Sequence, residues 1–404
     1  MEKRVVKRVT MKLVFVSNYI NHHQLPIAEE LYKELGDQYA FIQMEPMEEE
    51  RVKMGWGKDF TSLPFLQLYY KDPLKCQNLI DEADVLIMGS EKNPPYITTR
   101  LQKKKIVLRY TERIYKEGQW KCLSPKGFVH KYQDHIRYRK DPLYLLCAGA
   151  YVASDFSLLH AYPNKKYNWG YFPETIFYDK ENLFQKKAHK KVRILWAGRF
   201  LAWKHPEYAI ELAHHLKNDG IDFELNVVGD GELRTKLEEK ITEYEITDCV
   251  KLLGYMKPEE VRNLMEETNI YIFTSDNNEG WGAVLNEAMN AGCAVVANCA
   301  IGSAPTLMKH KENGMIYKNG DFKEFENQVR FLIAHPEIQQ GMGEKAYETI
   351  TKEWNHQIVA KRLLDFCNKI SHGDLPSFQT GPLSVSKAIK PKKMYQYMKR
   401  EFEK

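Results

Sequence analysis

Short, unbroken apolar runs alternate with stretches of helical period along this chain, and the whole alternation occurs twice. Alternating strands and helices fold as parallel sheets covered by helices. Unbroken apolar strands are typical of sheets that are buried on both faces. The sequence therefore predicts an α/β protein. In its first half we expect a helix at residues 24–35 and strands at 12–17, 40–43, 84–88 and 105–110.

The alternation restarts after a mixed, charged segment at residues 174–191, where we place the boundary between two domains. A length of 404 residues agrees with two domains, because one ordinary domain is shorter. We predict a first domain at 11–173, a linker at 174–191, a second domain at 192–370 and a tail at 371–404. Strands of the second domain are expected at 192–197, 223–228, 250–253, 270–274 and 294–297. Its helices are expected at 206–217, 232–243, 258–267, 282–291, 323–334, 337–350 and 355–370.

Composition excludes several classes of protein. With 43% hydrophobic and 28% charged residues the chain is not disordered, and its longest apolar run, at 143–152, is too short to span a bilayer. A net charge of +5 does not indicate a nucleic-acid partner. Seven cysteines without a C-x-x-C pair argue against disulfides and zinc and favour a cytoplasmic protein. Residues 1–10 are expected to be an extension, and 45–58 a surface excursion.

The most informative segment follows the strand at 270–274, where the sequence reads SDNNEGWG and then enters a predicted helix. A helix N-terminus presents free N–H groups and suits a phosphate. Glu279 and Glu287 are eight residues apart, which is roughly 12 Å along a helix. The two carboxylates therefore address different parts of a ligand and suit sugar hydroxyls better than a shared proton. Alternatively, both are ordinary glutamates of a solvated helix.

A second segment, GRFLAWKHP at 198–206, also joins a strand end to a helix start. Arg199 offers a planar fork and Lys204 a point charge, and both could reach a diphosphate. The alternative is a pair of exposed surface cations. The G-x-G at 229–231 is a weaker signal, which a tight strand-to-helix turn explains.

From 192 to about 370 the chain resembles the donor domain of retaining glycosyltransferases of the GT-B fold, the group-1 (family 4) class. The resemblance is carried by A-G-R at 197–199 with Lys204, V-V-G-D-G at 227–231, L-L-G-Y at 252–255 and E-G-W-G…E-A-M-x-A-G at 279–292. It implies a GT-B fold, in which two Rossmann-like domains place their parallel sheets on either side of a central cleft. The first domain would bind the acceptor and the second the nucleotide-sugar donor.

The resemblance also implies roles for the matching residues. Arg199 and Lys204 would neutralise the nucleotide diphosphate and, with Glu279, form the catalytic group. Glu287 would hold the ribose hydroxyls, and Glu279 would hold the donor sugar together with nearby backbone. The residues expected to line the donor site are Glu287, Gly280, Trp281, Gly282 and Tyr255. No metal and no cofactor are expected, only a UDP- or GDP-sugar as the donor substrate.

Candidates for the acceptor side come from the first domain. The loop after the first strand lacks the glycines that many relatives have and contains Asn18, His22 and His23. These side chains would contact the acceptor or the donor phosphate, or alternatively pack the loop and cap a helix. Glu112 and Arg113 follow the strand at 105–110 and would face the cleft, unless they form a structural ion pair.

These features predict a retaining hexosyltransferase that moves a sugar from a nucleoside-diphosphate sugar to a hydroxyl of a glycan or lipid-linked glycan. The expected setting is cell-surface polysaccharide synthesis. Two alternatives remain open. One is another activity on the same fold, namely a nucleotide-sugar epimerase or a sugar phosphorylase. The other is a non-catalytic scaffold that binds sugar nucleotides.

The tail differs in charge from the rest of the chain. Residues 387–404 hold seven cations and two anions, which accounts for the whole net charge. On a helix, four of the tail's side chains would form a one-sided apolar stripe, namely Met394, Tyr395, Met398 and Phe402. A basic amphipathic helix can lie on an anionic bilayer, which predicts peripheral contact with the inner face of the plasma membrane. Alternatively, the stripe packs back on the protein or the tail only aids solubility.

Overall fold

The computed structural model describes residues 11–48, 60, 62–89 and 94–400. Within these residues the chain forms two parallel sheets, so the predicted α/β class is confirmed. The first sheet has the order β3-β2-β1-β4-β5-β6-β7. Its strands are β1 Leu13–Ser17, β2 Tyr39–Gln43, β3 Leu66–Leu68, β4 Val85–Met88, β5 Ile106–Thr111, β6 Leu143–Ala148 and β7 Lys166–Trp169.

The helices of the first half begin at residues that favour helix starts. Proline stands in the first turn of each of the first four helices, where its missing N–H removes no intrahelical hydrogen bond. Asp72 caps the second helix by accepting from the N–H of Lys75. These helices are α1 Leu25–Leu35, α2 Pro73–Glu82, α3 Pro95–Gln102, α4 Pro125–Lys131 and α5 Val152–Leu158.

The second sheet has the order β10-β9-β8-β11-β12-β13. Its strands are β8 Val192–Ala197, β9 Phe223–Val228, β10 Val250–Gly254, β11 Ile270–Phe273, β12 Ala294–Asn298 and β13 Met315–Tyr317. The helices around it are α6 Lys180–Gln185, α7 Glu207–Asn218, α8 Arg234–Glu243, α9 Pro258–Glu267, α10 Val284–Asn290, α11 Ala304–Leu307, α12 Phe322–Ala334 and α13 Pro336–Lys352.

Each sheet reverses its strand order once, and this positions the site. The reversals lie between β1 and β4 in the first sheet and between β8 and β11 in the second. Ligands of open parallel sheets bind outside the carboxyl ends of the strands at such points. The loops after β1, β8 and β11 are therefore the structural candidates, and they are the loops that the sequence singles out.

The strands that the sequence predicted in both halves are present, within one or two residues at their ends. Four further strands were not predicted: β3, β6, β7 and β13. Three of them are only three or four residues long, and β7 alternates buried with half-exposed positions because it lies at the edge of its sheet. Residues 1–10 and 49–58 lie outside the described residues, so the interpretations of these segments are not tested.

Helix α14, His356–Ser371, packs on the first half of the chain. The sequence placed it with the second domain, but it packs against α1 of the first half. Its Phe366 ring lies edge-on to Tyr144 and Tyr167, with ring centres 6.0 and 4.7 Å apart. The buried apolar side chains of this helix belong to a core cluster that contains residues of both halves.

After α14 the chain runs along the edge of the first sheet. The N–H of Leu383 donates to the carbonyl of Asn168 at 2.7 Å, and the N–H of Asn168 donates to the carbonyl of Ser384 at 2.8 Å. Val385 forms an antiparallel bridge with Tyr167 of β7. This pairing covers backbone groups that an edge strand otherwise exposes.

The final helix, α15 Pro391–Arg400, then packs on the second half. Met394 and Met398 are buried, and Lys399 lies 2.7 Å from the Glu324 carboxylate, which also accepts from the Tyr395 hydroxyl. The apolar stripe of the tail therefore packs back on the protein. The expectation that this stripe contacts a bilayer is corrected for the described residues, while Phe402 lies outside them. No helix among the described residues is long and apolar enough to cross a membrane.

If α15 is held by its buried methionines, Met398→Ala should destabilise the protein by about 2–5 kcal/mol through lost burial and a residual cavity. Lys392, on the exposed side of the same helix, is the matched control, and Lys392→Ala should change stability by less than about 0.5 kcal/mol. Urea denaturation followed by circular dichroism measures both. Equal midpoints for the two variants would show that the helix does not pack as described.

Candidate functional site

The two halves meet at the glycine-rich loop that precedes α10. Glu112, directly after β5, accepts from the backbone N–H of Trp281 at 3.2 Å and from the Tyr171 hydroxyl at 2.9 Å. Its other oxygen accepts from Lys116 at 3.0 Å. A Cβ atom on Gly280 would lie 1.8 Å from this carboxylate, so only glycine permits the approach. Glu112 therefore reaches the predicted donor loop from the acceptor side.

Two of the predicted catalytic residues are brought together. Lys204 and Glu279 form a short ion pair whose side chains are 15% and 11% exposed. The Lys204 ammonium also lies 4.6 Å from the ring centre of Trp203. Thr274 fixes this turn by donating its hydroxyl to the carbonyls of Lys204 and His205, at 2.7 and 2.9 Å. Because the pair is shielded from water, a phosphate entering here would compete with Glu279 for a poorly solvated cation.

The third predicted catalytic residue, Arg199, lies at the end of β8 with its side chain exposed. The turn that carries it rests on the G-x-G of residues 229–231. The N–H of Phe200 donates to the carbonyl of Asp230 at 2.8 Å, and a Cβ on Gly229 would lie 1.8 Å from the carbonyl oxygen of Gly198. The G-x-G is thus a tight turn that supports the Arg199 loop, as the sequence interpretation held.

Glu287 faces the first half from helix α10. Side-chain ligand atoms of His22, His23 and Glu287 all lie within 4.8 Å of one another. Among the described residues this is the one group of three such side chains that could hold a metal ion. Burial raises the pKa of Glu287 to about 7, although Arg262 lowers it. The cluster joins the predicted ribose-binding residue to two of the predicted acceptor-side residues.

Trp281 and Gly282 hold the loop in place through close packing. The Trp281 indole is fully buried and donates to the Asn286 side chain at 2.8 Å. Its ring fills the space above Gly170, where a Cβ would lie 2.4 Å from it. Gly282 adopts φ +82°, and a Cβ there would lie 2.7 Å from the Phe273 ring. The Trp281 side chain therefore packs the two halves together, and its backbone N–H is the part that donates to Glu112.

Arg113, the residue after Glu112, is held inside the first half. Its guanidinium is buried, donates to the carbonyl of Tyr115 at 2.9 Å and lies 3.6 Å from the Asp155 carboxylate. It also lies 4.9 Å from the centre of the Tyr151 ring. Arg113 therefore pairs with Asp155 and not with Glu112, and its role on the acceptor side stays a prediction.

The remaining predicted residues, Asn18 and Tyr255, are exposed directly after the carboxyl ends of β1 and β10. The structure places both at sheet ends where ligands of this architecture bind. Neither is part of the cluster around Glu112.

Tyr171 is a residue of the site that sequence reasoning missed. Its hydroxyl donates to Glu112, and its ring stacks on His23 with the ring centres 5.9 Å apart and the planes inclined by 10°. Burial raises its pKa well above the ordinary value, so the hydroxyl stays protonated and remains a donor. The signal that the sequence offers for it is the aromatic run W-G-Y-F at 169–172.

Asn277 is a second missed residue. Its side-chain amide donates to the carbonyl of Lys116 at 2.7 Å, which adds a second hydrogen bond between the two halves beside Glu112. Its place within S-D-N-N-E-G-W-G was visible in the sequence, but its partner was not.

Parts of the chain are similar in sequence to known proteins. Residues 179–349 match the profile of the family described as glycosyl transferases group 1. The chain is 34% identical over 149 residues to the amylovoran biosynthesis glycosyltransferase AmsK of Erwinia amylovora, covering 35% of this chain and 36% of AmsK. It is 23% identical over 178 residues to the putative colanic acid biosynthesis glycosyltransferase WcaL of Escherichia coli, covering 43% and 44%. Thus the chain spans less than half the length of these two relatives.

Solved structures share the fold over most of the chain. HepE of Anabaena, in complex with UDP, has a TM-score of 0.67 at 16% identity and covers 89% of this chain and 100% of its own. WaaG, a glycosyltransferase involved in lipopolysaccharide biosynthesis, has a TM-score of 0.58 at 14% identity and covers 88% and 99%. Both likenesses show the fold alone, and with it the expected GT-B architecture is confirmed.

Glu287 generates a prediction about pH. Because its pKa in the folded protein is raised, its contribution to stability is full at low pH and is lost as pH rises through about 7. Glu287→Gln removes the titration, so it should raise the melting temperature relative to the natural protein at pH 8 and much less at pH 5. Differential scanning calorimetry at the two pH values measures this.

Glu326 provides a control of opposite sign. Burial raises its pKa, but hydrogen bonds from Arg330 and Lys323 lower it below the ordinary value. Glu326→Gln should therefore lower the melting temperature at pH 8 more than at pH 3. A Glu287→Gln protein with the same pH dependence as the natural protein would contradict the raised pKa.

Proposed function

We propose that the whole protein is a retaining glycosyltransferase, because residues 179–349 match the family model of group-1 glycosyl transferases. It moves a sugar from a nucleoside-diphosphate sugar to a hydroxyl of a glycan or lipid-linked glycan in cell-surface polysaccharide synthesis. The proposal is carried by the shielded Lys204–Glu279 pair beside the Gly280–Gly282 loop. The names of AmsK and WcaL and the UDP bound to HepE support the substrate class.

Arg199 and Lys204 stabilise the leaving diphosphate in this proposal. The bond between the sugar and the diphosphate oxygen breaks, and negative charge develops on that oxygen. Fixed cations in a poorly solvated cleft lower the free energy of this state without reorganisation. The released phosphate oxygen takes the proton of the acceptor hydroxyl, whose oxygen forms the new bond on the same face of the sugar. No protein nucleophile is required.

Glu112 and Glu279 must change partners when the donor binds. The Trp281 N–H that the proposed donor sugar needs is occupied by Glu112, and Lys204 is occupied by Glu279. Donor binding therefore displaces one carboxylate from the loop and supplies phosphate oxygens to the lysine. Opening and closing of the cleft would let the donor enter and then exclude water.

The proposed site of reaction is the cytoplasm. All seven cysteines are free, in agreement with a reducing compartment. The exposed cations of the tail would add weak electrostatic attraction to an anionic membrane, of at most about 1 kcal/mol each. Those exposed among the described residues are Lys387, Lys390, Lys392, Lys393 and Arg400.

Arg199→Ala should weaken binding of a nucleoside diphosphate by about 1.5–3 kcal/mol and reduce turnover further, because charge on the leaving group grows in the transition state. The side chain is exposed, so the fold should not change. Exposed Lys236, on helix α8, serves as the matched control. Turnover is measured as release of nucleoside diphosphate with UDP- and GDP-sugars and a glycan acceptor. Unchanged kinetics in folded Arg199→Ala would remove this residue from the site, and release of a sugar phosphate would instead indicate a phosphorylase.

The two glutamates of the E-x7-E segment should behave differently. Glu287→Ala should weaken binding of a bare nucleoside diphosphate, because it holds the ribose. Glu279→Ala should preserve or tighten this binding, since it releases Lys204 for the phosphates, and yet it should abolish transfer. Isothermal titration calorimetry with UDP and GDP separates the two. Equal loss of affinity in both variants would contradict the division of roles.

A further inference from the structure

Three side chains that can bind a metal ion come together where the two halves meet. His22 and His23 lie in the loop after β1 of the first half, and Glu287 belongs to helix α10 of the second. One ligand atom of each side chain lies within 4.8 Å of the other two. The histidines and the glutamate are far apart in the sequence, so only the packing of the two halves creates this cluster.

The spacing of the cluster suits a small ion. Ligand atoms that lie about 2.0–2.1 Å from a tetrahedral zinc ion are roughly 3.4 Å from one another. Since the three atoms lie within 4.8 Å, they need to approach by at most about 1.4 Å to bind one ion. Rotation of two imidazoles and a carboxylate about their side-chain bonds covers such a distance.

The loop that carries the histidines is held on both sides. The backbone N–H of His23 donates to the side chain of Asn21 at 2.9 Å. Gln24, the next residue, donates its amide to the Tyr110 hydroxyl at 2.6 Å and to the Ser17 hydroxyl at 3.1 Å. A loop that is already ordered loses less conformational entropy when it binds an ion.

Tyr171 links the two sides of the cluster. Its ring stacks on His23, and its carbonyl accepts from the side-chain amide of Asn286 at 3.3 Å. Asn286 directly precedes Glu287 on helix α10. One residue therefore supports a ligand of the first half and the helix turn that carries the ligand of the second, as second-shell partners do in metal sites.

The types of ligand determine which ion fits. Two imidazole nitrogens and one carboxylate oxygen, with a position left for water, are a ligand set of open zinc sites. Mg²⁺ and Ca²⁺ prefer oxygen ligands. The charge of Arg262, whose guanidinium donates to the carbonyl of Glu174 at 3.1 Å, acts on Glu287 and opposes any cation. An ion that is held by coordination to nitrogen is therefore favoured over one that is held by charge alone.

We propose that His22, His23 and Glu287 bind a zinc ion that joins the two halves and excludes the donor nucleotide. The ion would be an inhibitor and not a cofactor, so the expectation that transfer needs no metal stays as it is. Binding of zinc does not rest on the proposed function. Exclusion of the donor does rest on it, because it follows from the proposed contact between Glu287 and the ribose.

Isothermal titration calorimetry of the full chain, without an affinity tag, tests the site with zinc chloride. We expect one zinc ion per chain and no binding of Mg²⁺. His22→Ala with His23→Ala, and separately Glu287→Gln, should weaken zinc binding at least about tenfold, since loss of even a supporting residue has such an effect. The matched control is His214→Ala with His215→Ala, a second pair of consecutive histidines, on helix α7.

Co²⁺ in place of zinc identifies the ligands by absorption. A site with few ligands gives visible bands, and a thiolate ligand adds a charge-transfer band in the near ultraviolet. This distinction is needed because all seven cysteines are free. We expect the visible bands without the thiolate band, and the variant that lacks His22 and His23 should lose them.

Exclusion of the donor is tested by titrating UDP and GDP in metal-free buffer and at saturating zinc. Zinc should weaken nucleotide binding about tenfold or more in the natural protein and in the His214 and His215 control, and by linkage each nucleotide should weaken zinc binding by the same factor. Nucleoside diphosphates also chelate zinc in solution. The variant without His22 and His23 measures this part, because it should show no further loss.

The possible failures are distinguishable. A natural protein that binds no zinc, or two double-histidine variants that bind it equally while circular dichroism shows a native fold, would overturn the site. Zinc-loaded protein that binds UDP as tightly as metal-free protein would overturn the exclusion. A lack of nucleoside diphosphate release in metal-free buffer would instead contradict the proposed function and would leave the zinc measurement unaffected.

Discussion

The structure depends on how closely the backbones of its two halves approach. Gly280 has no room for a Cβ beside Glu112, and a Cβ on Gly302 would lie 2.0 Å from the carbonyl oxygen of Gly280. The carbonyl of Gly302 in turn accepts from the N–H of Ala150 in the first half, at 3.0 Å. Because these positions carry no side chains, backbone groups of one half become hydrogen-bonding partners of the other. The loop before α10 is thereby fixed in space, and every contact of the proposed site is arranged around it.

This closeness also determines the electrostatics of the cleft. Two of its cations are already paired with carboxylates, namely Lys204 with Glu279 and Lys116 with Glu112. A buried ion pair stabilises little on balance, because desolvation of both charges offsets their attraction. Such pairs can therefore be exchanged for a ligand at small net free energy. A diphosphate would replace carboxylates as the partner of these cations, so donor binding in the proposed reaction is an exchange of anions rather than the filling of an empty positive pocket.

The sequence predicted the fold well and the site in part, and the reasons are physical. Strands buried on both faces are continuous apolar runs that need no tertiary information, whereas the edge strand β7 carries a weaker alternating pattern. Loops after parallel strands converge, and the family resemblance assigned Lys204 and Glu279 to one site. Glu112 and Arg113 could not be separated, because successive side chains of an extended segment point to opposite sides and the sequence does not say which side is the cleft. Tyr171 enters the site through its hydrogen bond to Glu112 and its stacking on His23, two tertiary contacts that no local pattern records.

The tail shows the limit of what an amphipathic sequence pattern predicts. It combines apolar side chains with lysines at helical spacing. Yet Met394 and Met398 are buried. The Glu324 carboxylate accepts hydrogen bonds from Tyr395 and Lys399 and so holds the helix against the protein. Residues 119–132 also combine apolar side chains with lysines, and five of their large apolar side chains are exposed. An amphipathic pattern states only that one face needs an apolar partner. Whether this partner is the protein itself or something outside it depends on complementary groups that lie far away in the sequence, here 71 residues from Tyr395.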